Sequence, residues 1–195
     1  MSHHATEDIA VLRALPNVVV MAPGDMAEAI ECTKALASYR GTAYLRLGRG
    51  GEEKIHDKID GFEIGKAIKV KDGKRIALFS TGSIYEEVRK TYDILKSRGF
   101  EPAVYTFPTI KPIDKELIEK VSQEFEVIVT CEEHNIVGGF GSAVAEVMAE
   151  MPERKARLIR IGINDAYATQ VGSQAYLREQ YGMAAEGIVE KILKE

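Results

Sequence analysis

The 195-residue sequence contains no tryptophan, only two cysteines, and no apolar run of the ~18–20 residues that a membrane-spanning helix requires. We therefore expect no contact with a membrane. The N-terminus also lacks the basic and apolar segments of a secretory signal peptide, so we predict a cytoplasmic protein. Cys32 and Cys131 are far apart and each lies in an apolar stretch, which predicts reduced, buried thiols rather than a disulfide or a nucleophile.

Neither sign of charge dominates the chain, because 26 Lys and Arg against 30 Asp and Glu give a net charge of −4, and the basic residues are scattered. Such a distribution argues against a nucleic-acid partner. The sequence also lacks a P-loop, a Gly-x-Ser-x-Gly elbow, a His-Glu-x-x-His zinc motif and any Cys-x-x-Cys pair. No short motif therefore marks a catalytic centre.

The N-terminal part of the chain predicts helix, strand, helix and strand. A helix is expected over Thr6 to Leu15, and the apolar run Val18 to Ala22 is typical of a buried parallel strand. Asp25, with Glu28 three residues later, resembles a capping box that begins the next helix. A second strand is predicted at Ala43 to Leu47. One β-α-β unit cannot bury both faces of its sheet, so we expect it to be part of something larger.

The segment from Gly48 to Gly61 is Gly-rich, charged and without periodicity, which is typical of a linker. We place the first unit at 1–49, the linker at 50–64 and a second domain at 65–195. Asp72-Gly73 lies between two apolar segments, and an Asp-Gly pair in that position predicts a hairpin. An antiparallel edge strand at Lys66 to Val70 is therefore expected to begin the second domain.

The rest of the chain alternates between helices and strands, with strands predicted at Ala103–Phe107, Val127–Cys131 and Leu158–Ile163. Two amphipathic stretches, 174–181 and 184–193, should dock on the sheet. Connections of this length favour right-handed parallel crossovers, so the predicted fold is α/β, a mostly parallel sheet with helices on both faces. The residues expected on the inner faces of the helices are Met26, Ile30, Ala37, Ile84, Val88, Thr91, Leu95, Phe140, Ala143, Val144, Val147, Met148 and Met151.

A glycine cluster, Gly138-Gly139-Phe140-Gly141, follows one predicted strand and opens a helix, where free backbone N–H groups could hold an anion. The spacing does not fit a dinucleotide fingerprint, so a tight turn into a closely packed helix is favoured. Glu132-Glu133-His134 lies at the carboxyl end of the same strand, where open α/β sheets place ligands. Without metal-ligand spacing around His134, a polar, capped loop at a subunit contact is the favoured interpretation.

Four basic side chains are candidate ligand-binding residues. His3 and His4 point opposite ways in an extended segment, and one of them could face a pocket, although a terminal His pair is usually inert. Arg46 and Arg49 bracket the end of the second predicted strand, and their planar forks suit bidentate recognition of phosphate or carboxylate. The alternative for both arginines is a solvated strand end beside a linker.

Several longer segments resemble one enzyme family. Ser2–Ala10, continued by Leu12–Asn17 and Ala22–Asp25, is similar to the second half of the pyrimidine-binding domain of transketolases and of 1-deoxyxylulose-5-phosphate synthase. Phe107–Asp114 and Glu132–Gly141 are similar to the C-terminal domain of the same family. The resemblance runs in order along essentially the whole chain. It implies a C-terminal transketolase-like three-layer domain, preceded by a β-α-β fragment of a pyrimidine-binding domain.

The resemblance also implies a chemistry. These enzymes use thiamine diphosphate with Mg²⁺ to move a two-carbon ketol unit between sugar phosphates. By matching position, His3 lines the substrate channel near the donor hydroxyls, and Arg49 binds the sugar phosphate. Arg46 matches an arginine of the synthase-like members, whereas the position of His4 varies between branches. The substrate expected for the complete enzyme is therefore a sugar phosphate.

The sequence departs from the family in lacking the diphosphate-binding domain, with its metal motif, and the first half of the pyrimidine domain. We therefore expect no cofactor or metal on this chain alone and no turnover. A missing N-terminal section or a partner subunit, and a homodimer, are expected. The alternatives are a non-catalytic dimerisation or ligand-binding module, a synthase-like chain, and the β subunit of a 2-oxoacid dehydrogenase complex, whose substrate needs no sugar-phosphate clamp.

Overall fold

A computed structural model describes residues 5–194 of the chain. The helices are α1 (Asp8–Ala14), α2 (Met26–Ser38), α3 (Tyr85–Ser97), α4 (Lys115–Glu124), α5 (Phe140–Glu150), α6 (Gln174–Gln180) and α7 (Ala185–Lys194). A short 3₁₀ turn at Gly82–Ile84 leads directly into α3. The strands are β1 (Val18–Met21), β2 (Thr42–Leu45), β3 (Ile68–Lys71), β4 (Ile76–Ser80), β5 (Ala103–Thr106), β6 (Thr109–Lys111), β7 (Val127–Asn135) and β8 (Arg157–Ile163).

The first sheet has three strands in the order β2-β1-β6. β1 is buried along its whole length and pairs in parallel with β2, as the sequence predicted. Its other neighbour, the antiparallel β6, was not predicted. β6 comes from a segment about 90 residues later in the chain, and only the folded chain brings it beside β1.

The second sheet has five strands in the order β3-β5-β4-β7-β8. β4, β5, β7 and β8 are parallel, which confirms the mostly parallel sheet, and β3 is the antiparallel edge strand. The predicted hairpin is wrong, because β3 pairs with β5 and not with β4. Parallel neighbours occupy both sides of β4, and Lys74 N–H donates to the Glu101 carbonyl, so the Asp72-Gly73 turn carries the chain past β5.

Helices cover both faces of the second sheet, which gives the predicted three layers. On one face, side chains of α3 and α7 such as Val88, Leu95 and Ile188 pack against Leu78 and Val129. The opposite face packs against α4 and α5 and against one face of the first sheet. That shared core includes Ile9, Val18, Val20, Phe79, Phe107, Ile118, Phe140 and Val144. The two sheets are thus held together by a continuous apolar core.

The predicted inner face of α2 is wrong. Met26 and Ile30 are 73% and 45% exposed, and Ala37 is exposed too, whereas Glu28 and Cys32 are buried. Cys32 packs on the face of β1 that carries Val19. The inner side of the helix, which carries Cys32 and Leu36, is therefore set by the sheet it covers, and Met26 and Ile30 remain on the outer side.

Two further predictions concern the C-terminal helices and the cysteines. α7 docks on the sheet as predicted, but α6 does not, because its one buried residue is Arg178, which makes polar contacts. Cys32 and Cys131 are free and buried, as predicted, and burial raises the pKa of Cys32 to about 12. No helix within residues 5–194 is long and apolar enough to span a membrane.

Candidate functional site

A cleft of about 420 Å³ lies where the parallel strands of both sheets end. Residues at or just beyond the carboxyl ends of five strands line it: Pro23 after β1, Arg46 after β2, Ser83 after β4, Glu133 in β7 and Ile163 in β8. Open α/β sheets bind their ligands at this edge, because loops and helix starts there leave polar groups unpaired. The cleft is therefore the candidate functional site.

Arg46 is held on three sides at the wall of the cleft. Its Nε donates to the Asp8 carboxylate at 3.0 Å, and its Nη2 donates to the Ala5 carbonyl at 2.8 Å and the Glu133 carbonyl at 3.1 Å. These bonds join β2, α1 and β7. Arg46 is thus both a lining residue and a tie between the two sheets.

Arg49 lines the same cleft but is exposed, and its side chain has no hydrogen-bond partner among the residues that the structure describes. Its whole fork is available to a ligand, whereas Nε and Nη2 of Arg46 are already hydrogen-bonded. The structure thus brings together the two arginines that the sequence singled out. His3 and His4, the other two candidates, lie outside the described residues.

Asp8 and Tyr44 belong to the cleft and were not predicted. The Tyr44 hydroxyl donates to Asp8 Oδ2 at 2.6 Å, and the same oxygen accepts from Arg46. Burial, with this hydrogen bond as the second cause, raises the pKa of Tyr44 to about 12. Asp8 lies 36 residues from Tyr44 in the chain, so no local motif could have shown the contact.

Another wall of the cleft is built around a third arginine, Arg178 of α6, which the sequence did not single out. Arg178 is buried, and it donates to the Glu133 carboxylate at 2.7 Å and to the Ser83 carbonyl at 2.7 Å. Gln174 donates to the same Glu133 carboxylate at 3.0 Å. One arginine on a short helix carries no sequence signal that it will bind Glu133 and build a cleft wall.

The glycine cluster does not hold a foreign anion. Glu132, fully buried on β7, accepts from the backbone N–H groups of Phe140 at 2.6 Å and Gly141 at 2.8 Å. Burial raises the pKa of Glu132 to about 7, although both N–H donors act in the opposite direction. The favoured interpretation, a tight turn into a packed helix, is confirmed, because a Cβ on Gly139 would collide with the Glu132 carboxylate.

His134 is also turned inward and is not a cleft residue. Its Nδ1 lies 2.6 Å from the Asn135 carbonyl, and its Nε2 lies 3.4 Å from the Ala10 N–H. Burial lowers the pKa of His134. Since the carbonyl needs a donor and the N–H an acceptor, these contacts fit the neutral ring with its proton on Nδ1.

The cleft suits an anion better than a metal. Within residues 5–194, no group of three or more His, Cys, Asp or Glu side chains is placed to hold a metal ion. The two carboxylates at the cleft, Asp8 and Glu133, are each hydrogen-bonded to an arginine. The described residues therefore do not fit a metal–diphosphate group, which needs oxygen ligands free to coordinate Mg²⁺.

Comparison with known proteins decides the family. The family model for the transketolase C-terminal domain matches residues 65–188. The chain belongs to the transketolase family. Members of this family are thiamine-diphosphate-dependent enzymes. The match covers β3 to the middle of α7, which includes the Glu133 and Arg178 wall of the cleft.

Relatives with curated names extend the similarity to the N-terminal part. A putative transketolase C-terminal section from Methanocaldococcus jannaschii is 40% identical over 196 residues, which cover 100% of this chain and 60% of the relative. A 1-deoxy-D-xylulose-5-phosphate synthase from Heliobacterium modesticaldum is 35% identical over 96% of this chain and 29% of its own length. The chain thus spans at most about 60% of the length of these relatives.

Solved structures agree with the fold. A split gene transketolase, described as an inactive β4 tetramer, has a TM-score of 0.89 and 33% identity, and covers 99% of this chain and 62% of its own. A transketolase from Pichia stipitis has a TM-score of 0.74 at 20% identity, with 99% of this chain and 27% of that chain covered. This second similarity supports the transketolase fold alone.

Proposed function

We propose that this chain is the C-terminal section of a thiamine-diphosphate-dependent transketolase that transfers two-carbon ketol units between sugar phosphates. In this proposal the cleft binds the phosphate end of the sugar, and further polypeptide supplies the cofactor and its Mg²⁺. The observation that carries the proposal is that Arg46 and Arg49 line one cleft at the end of β2. Guanidinium forks are the side chains best suited to a phosphoryl group.

The charge arrangement supports an anionic ligand. The negative charges of Asp8 and Glu133 are each compensated by an arginine, at 3.0 Å and 2.7 Å respectively, while Arg49 keeps its fork free of the described residues. A phosphate that enters the cleft therefore meets one uncompensated cation. By family resemblance, we further propose that His3 contacts the donor hydroxyls beyond the phosphate, with His4 beside it.

The first sheet supports a partner in the complete enzyme. Among residues 5–194, the outer edge of β2 has no strand beside it, and Thr42 and Ala43 on it are exposed. An open edge of N–H and C=O groups is a site for pairing with another strand. We propose that an N-terminal section, or a partner subunit, completes this sheet, and that the assembly is a homodimer of completed units.

The cysteines bear on the location of the enzyme. Cys32 and Cys131 are both free and buried. Unpaired, buried thiols are typical of proteins from a reducing compartment. We propose on this ground that the chain works in the cytoplasm.

A second candidate function is that of 1-deoxy-D-xylulose-5-phosphate synthase. Several relatives with that name are 32–35% identical to this chain over nearly its whole length. The family resemblance also implies that Arg46 corresponds to an arginine of the synthase-like members. The product formed by the completed enzyme separates the two candidates, since the synthase releases its named sugar phosphate and a transketolase releases a ketose of two more carbons than the acceptor.

The test is Arg49→Ala in the enzyme completed with the missing section. Loss of the free guanidinium should weaken transition-state binding of phosphorylated substrates by about 1.5–3 kcal/mol, the size of a hydrogen bond to a charged group. The measurement is kcat/KM for sugar phosphates against the same sugars without phosphate. Only the phosphorylated series should respond.

Arg98→Ala is the matched control, because Arg98 is an exposed arginine at the far end of α3, away from the cleft. An unchanged kcat/KM for sugar phosphates in Arg49→Ala would overturn the phosphate assignment. The 195-residue chain alone should show no heat of binding when titrated with thiamine diphosphate and Mg²⁺. Tight binding in that titration would contradict the proposal that other polypeptide holds the cofactor.

A further inference from the structure

Asp8 lies at the centre of a set of contacts that the proposed phosphate site does not yet explain. Its side chain is only 13% exposed, although it lines the cleft. One carboxylate oxygen, Oδ2, accepts from the Tyr44 hydroxyl at 2.6 Å and from Arg46 Nε at 3.0 Å. The other, Oδ1, is buried and has no hydrogen-bond partner among the described residues, with His134 Nε2 at 3.7 Å.

The contacts of Arg46 leave one direction open. Nε is bound to Asp8, and Nη2 is bound to the Ala5 and Glu133 carbonyls. Nη1 donates to no residue in the range 5–194. A guanidinium is planar, so fixing Nε and Nη2 also fixes the direction of Nη1. The free donor of Arg46 is therefore held in one orientation at the cleft wall before any ligand binds.

A carboxylate beside an anion site is unfavourable by charge alone, since like charges repel. The repulsion between the Asp8 carboxylate and a bound anion must therefore be offset by the effect of Asp8 on Arg46. A long, flexible side chain loses rotamer freedom when it binds a ligand, and this loss is smaller if the side chain is already ordered. Because Asp8 orders Arg46 before the ligand arrives, Arg46 loses less rotamer freedom on binding.

We propose that Asp8 is a positioning residue, whose carboxylate holds Arg46 with its Nη1 directed into the cleft to receive a phosphoryl group. The inference rests on the proposed role of the cleft as a phosphate site. It assigns Arg46 the part of a fixed donor and Arg49 that of a mobile one. Tyr44 donates to the same oxygen and keeps the carboxylate in place.

Two variants separate geometry from charge. Asp8→Asn removes the negative charge but keeps an oxygen that can accept from both Tyr44 and Arg46. Asp8→Ala removes the charge and the acceptor. Glu7→Ala is the matched control, because Glu7 is a neighbouring exposed acid whose side chain bonds only to Thr6 among the described residues.

The experiment is a titration of the 195-residue chain and its variants with inorganic phosphate, followed by NMR. Asp8→Ala should bind phosphate about two- to tenfold more weakly, the range expected when one long side chain must be ordered on binding. Asp8→Asn should bind as tightly as the wild type or more tightly, and Glu7→Ala should not weaken binding. Thermal unfolding of each variant shows whether the fold is intact.

The direction in which Asp8→Ala changes the affinity for phosphate decides the outcome. If Asp8 acts only as a nearby charge or as a structural tie, both Asp8 variants should bind phosphate as tightly as the wild type or more tightly, and the inference is wrong. If the wild type binds no phosphate, the phosphate site itself is contradicted. If phosphate binds and Arg49→Ala weakens it while Asp8→Ala does not, the proposed function stands and the inference alone fails.

A second measurement covers the case in which Asp8→Ala does not fold. In the wild type, the Nε–H signal of Arg46, assigned by comparison with Arg46→Lys, should be protected from exchange with solvent before phosphate is added. Its protection should fall in Asp8→Asn less than in Asp8→Ser, whose hydroxyl is shorter. A rapidly exchanging Nε–H in the wild type would overturn the inference.

Discussion

Glu132 occupies the backbone N–H groups at the start of α5, where the glycine cluster suggested that an anion could bind. Its carboxylate reaches Phe140 N–H and Gly141 N–H from β7, eight and nine residues earlier in the chain. The sequence showed that a helix begins beside glycines, but not which acidic residue would turn toward it. Glu132 and Glu133 are adjacent on a strand and so point to opposite sides, one into the helix start and the other into the cleft.

Glu132 should make the stability of the chain depend on pH. Burial raises its pKa from 4.5 to about 7, so the folded state binds the proton more tightly than the unfolded state. The stabilising effect is therefore complete below about pH 4.5 and is lost as the pH rises through about 7. We predict that Glu132→Gln, which cannot ionise, gains stability relative to the wild type over this range, by up to about 1.4 kcal/mol per pH unit.

The measurement is the free energy of unfolding in urea for both proteins from pH 5 to pH 8. Glu119→Gln, on the exposed side of α4, controls for the loss of one negative charge. A difference between wild type and Glu132→Gln that stays constant over the whole range would contradict the raised pKa.

At the scale of elements, α6 differs from the other helices in how it is held. The other C-terminal helix, α7, packs Ile188, Val189 and Ile192 into the core, whereas α6 buries only Arg178. The amphipathic pattern of residues 174–181 predicted that this helix docks on the sheet. Such a pattern leads to docking only where the apolar side of the helix meets an apolar face. α6 instead closes the cleft wall by hydrogen bonds to Glu133 and Ser83.

We predict that Arg178→Met destabilises the fold by about 3 kcal/mol, because it leaves Glu133 and nearby Glu86 without their buried cation. The loss should appear first in α6. The measurement is urea unfolding together with amide hydrogen exchange of residues 174–180. Arg98→Met is the exposed control and should change neither. Unchanged exchange protection of α6 in Arg178→Met would show that other contacts hold the helix.

At the scale of the whole molecule, the apolar outer side of α2 and the open edge of β2 suggest a covered surface. Met26 and Ile30 are four residues apart, so they share one face of α2, and both are exposed. The sequence predicted these residues as core, and the described residues provide no element to cover them. The apolar pattern of α2 is typical of a helix that is buried on this face. The element that covers Met26 and Ile30 would have to come from another polypeptide or section.

We predict that the chain self-associates through this surface when nothing else covers it. The double variant Met26→Lys/Ile30→Lys should remain folded, because both side chains point to solvent, and should shift the sedimentation coefficient toward that of the monomer. Val171→Lys is the control, since Val171 is 94% exposed in the loop before α6. A monomeric wild type over the accessible concentration range would show that α2 is stable uncovered.

The candidate site could be predicted in part. Arg46 and Arg49 follow β2 directly, and arginines at a strand end carry a local signal for anion binding. Asp8, Ser83 and Arg178 carry no such signal, because their partners lie tens of residues away: Asp8 bonds Arg46 across 38 positions and Arg178 bonds Glu133 across 45. Side-chain pairing over such distances is set by the fold and not by neighbouring residues.

The sequence by itself determined the α/β alternation, the buried strand β1 and the cap at Asp25, because each depends on periodicity or on a contact within three residues. Only the tertiary structure decided that β3 joins β5, that β6 extends the first sheet, and that Glu132 caps α5. Strand order and long-range pairing depend on which backbone edges and apolar faces are still open when the elements meet, and no local stretch of residues encodes that.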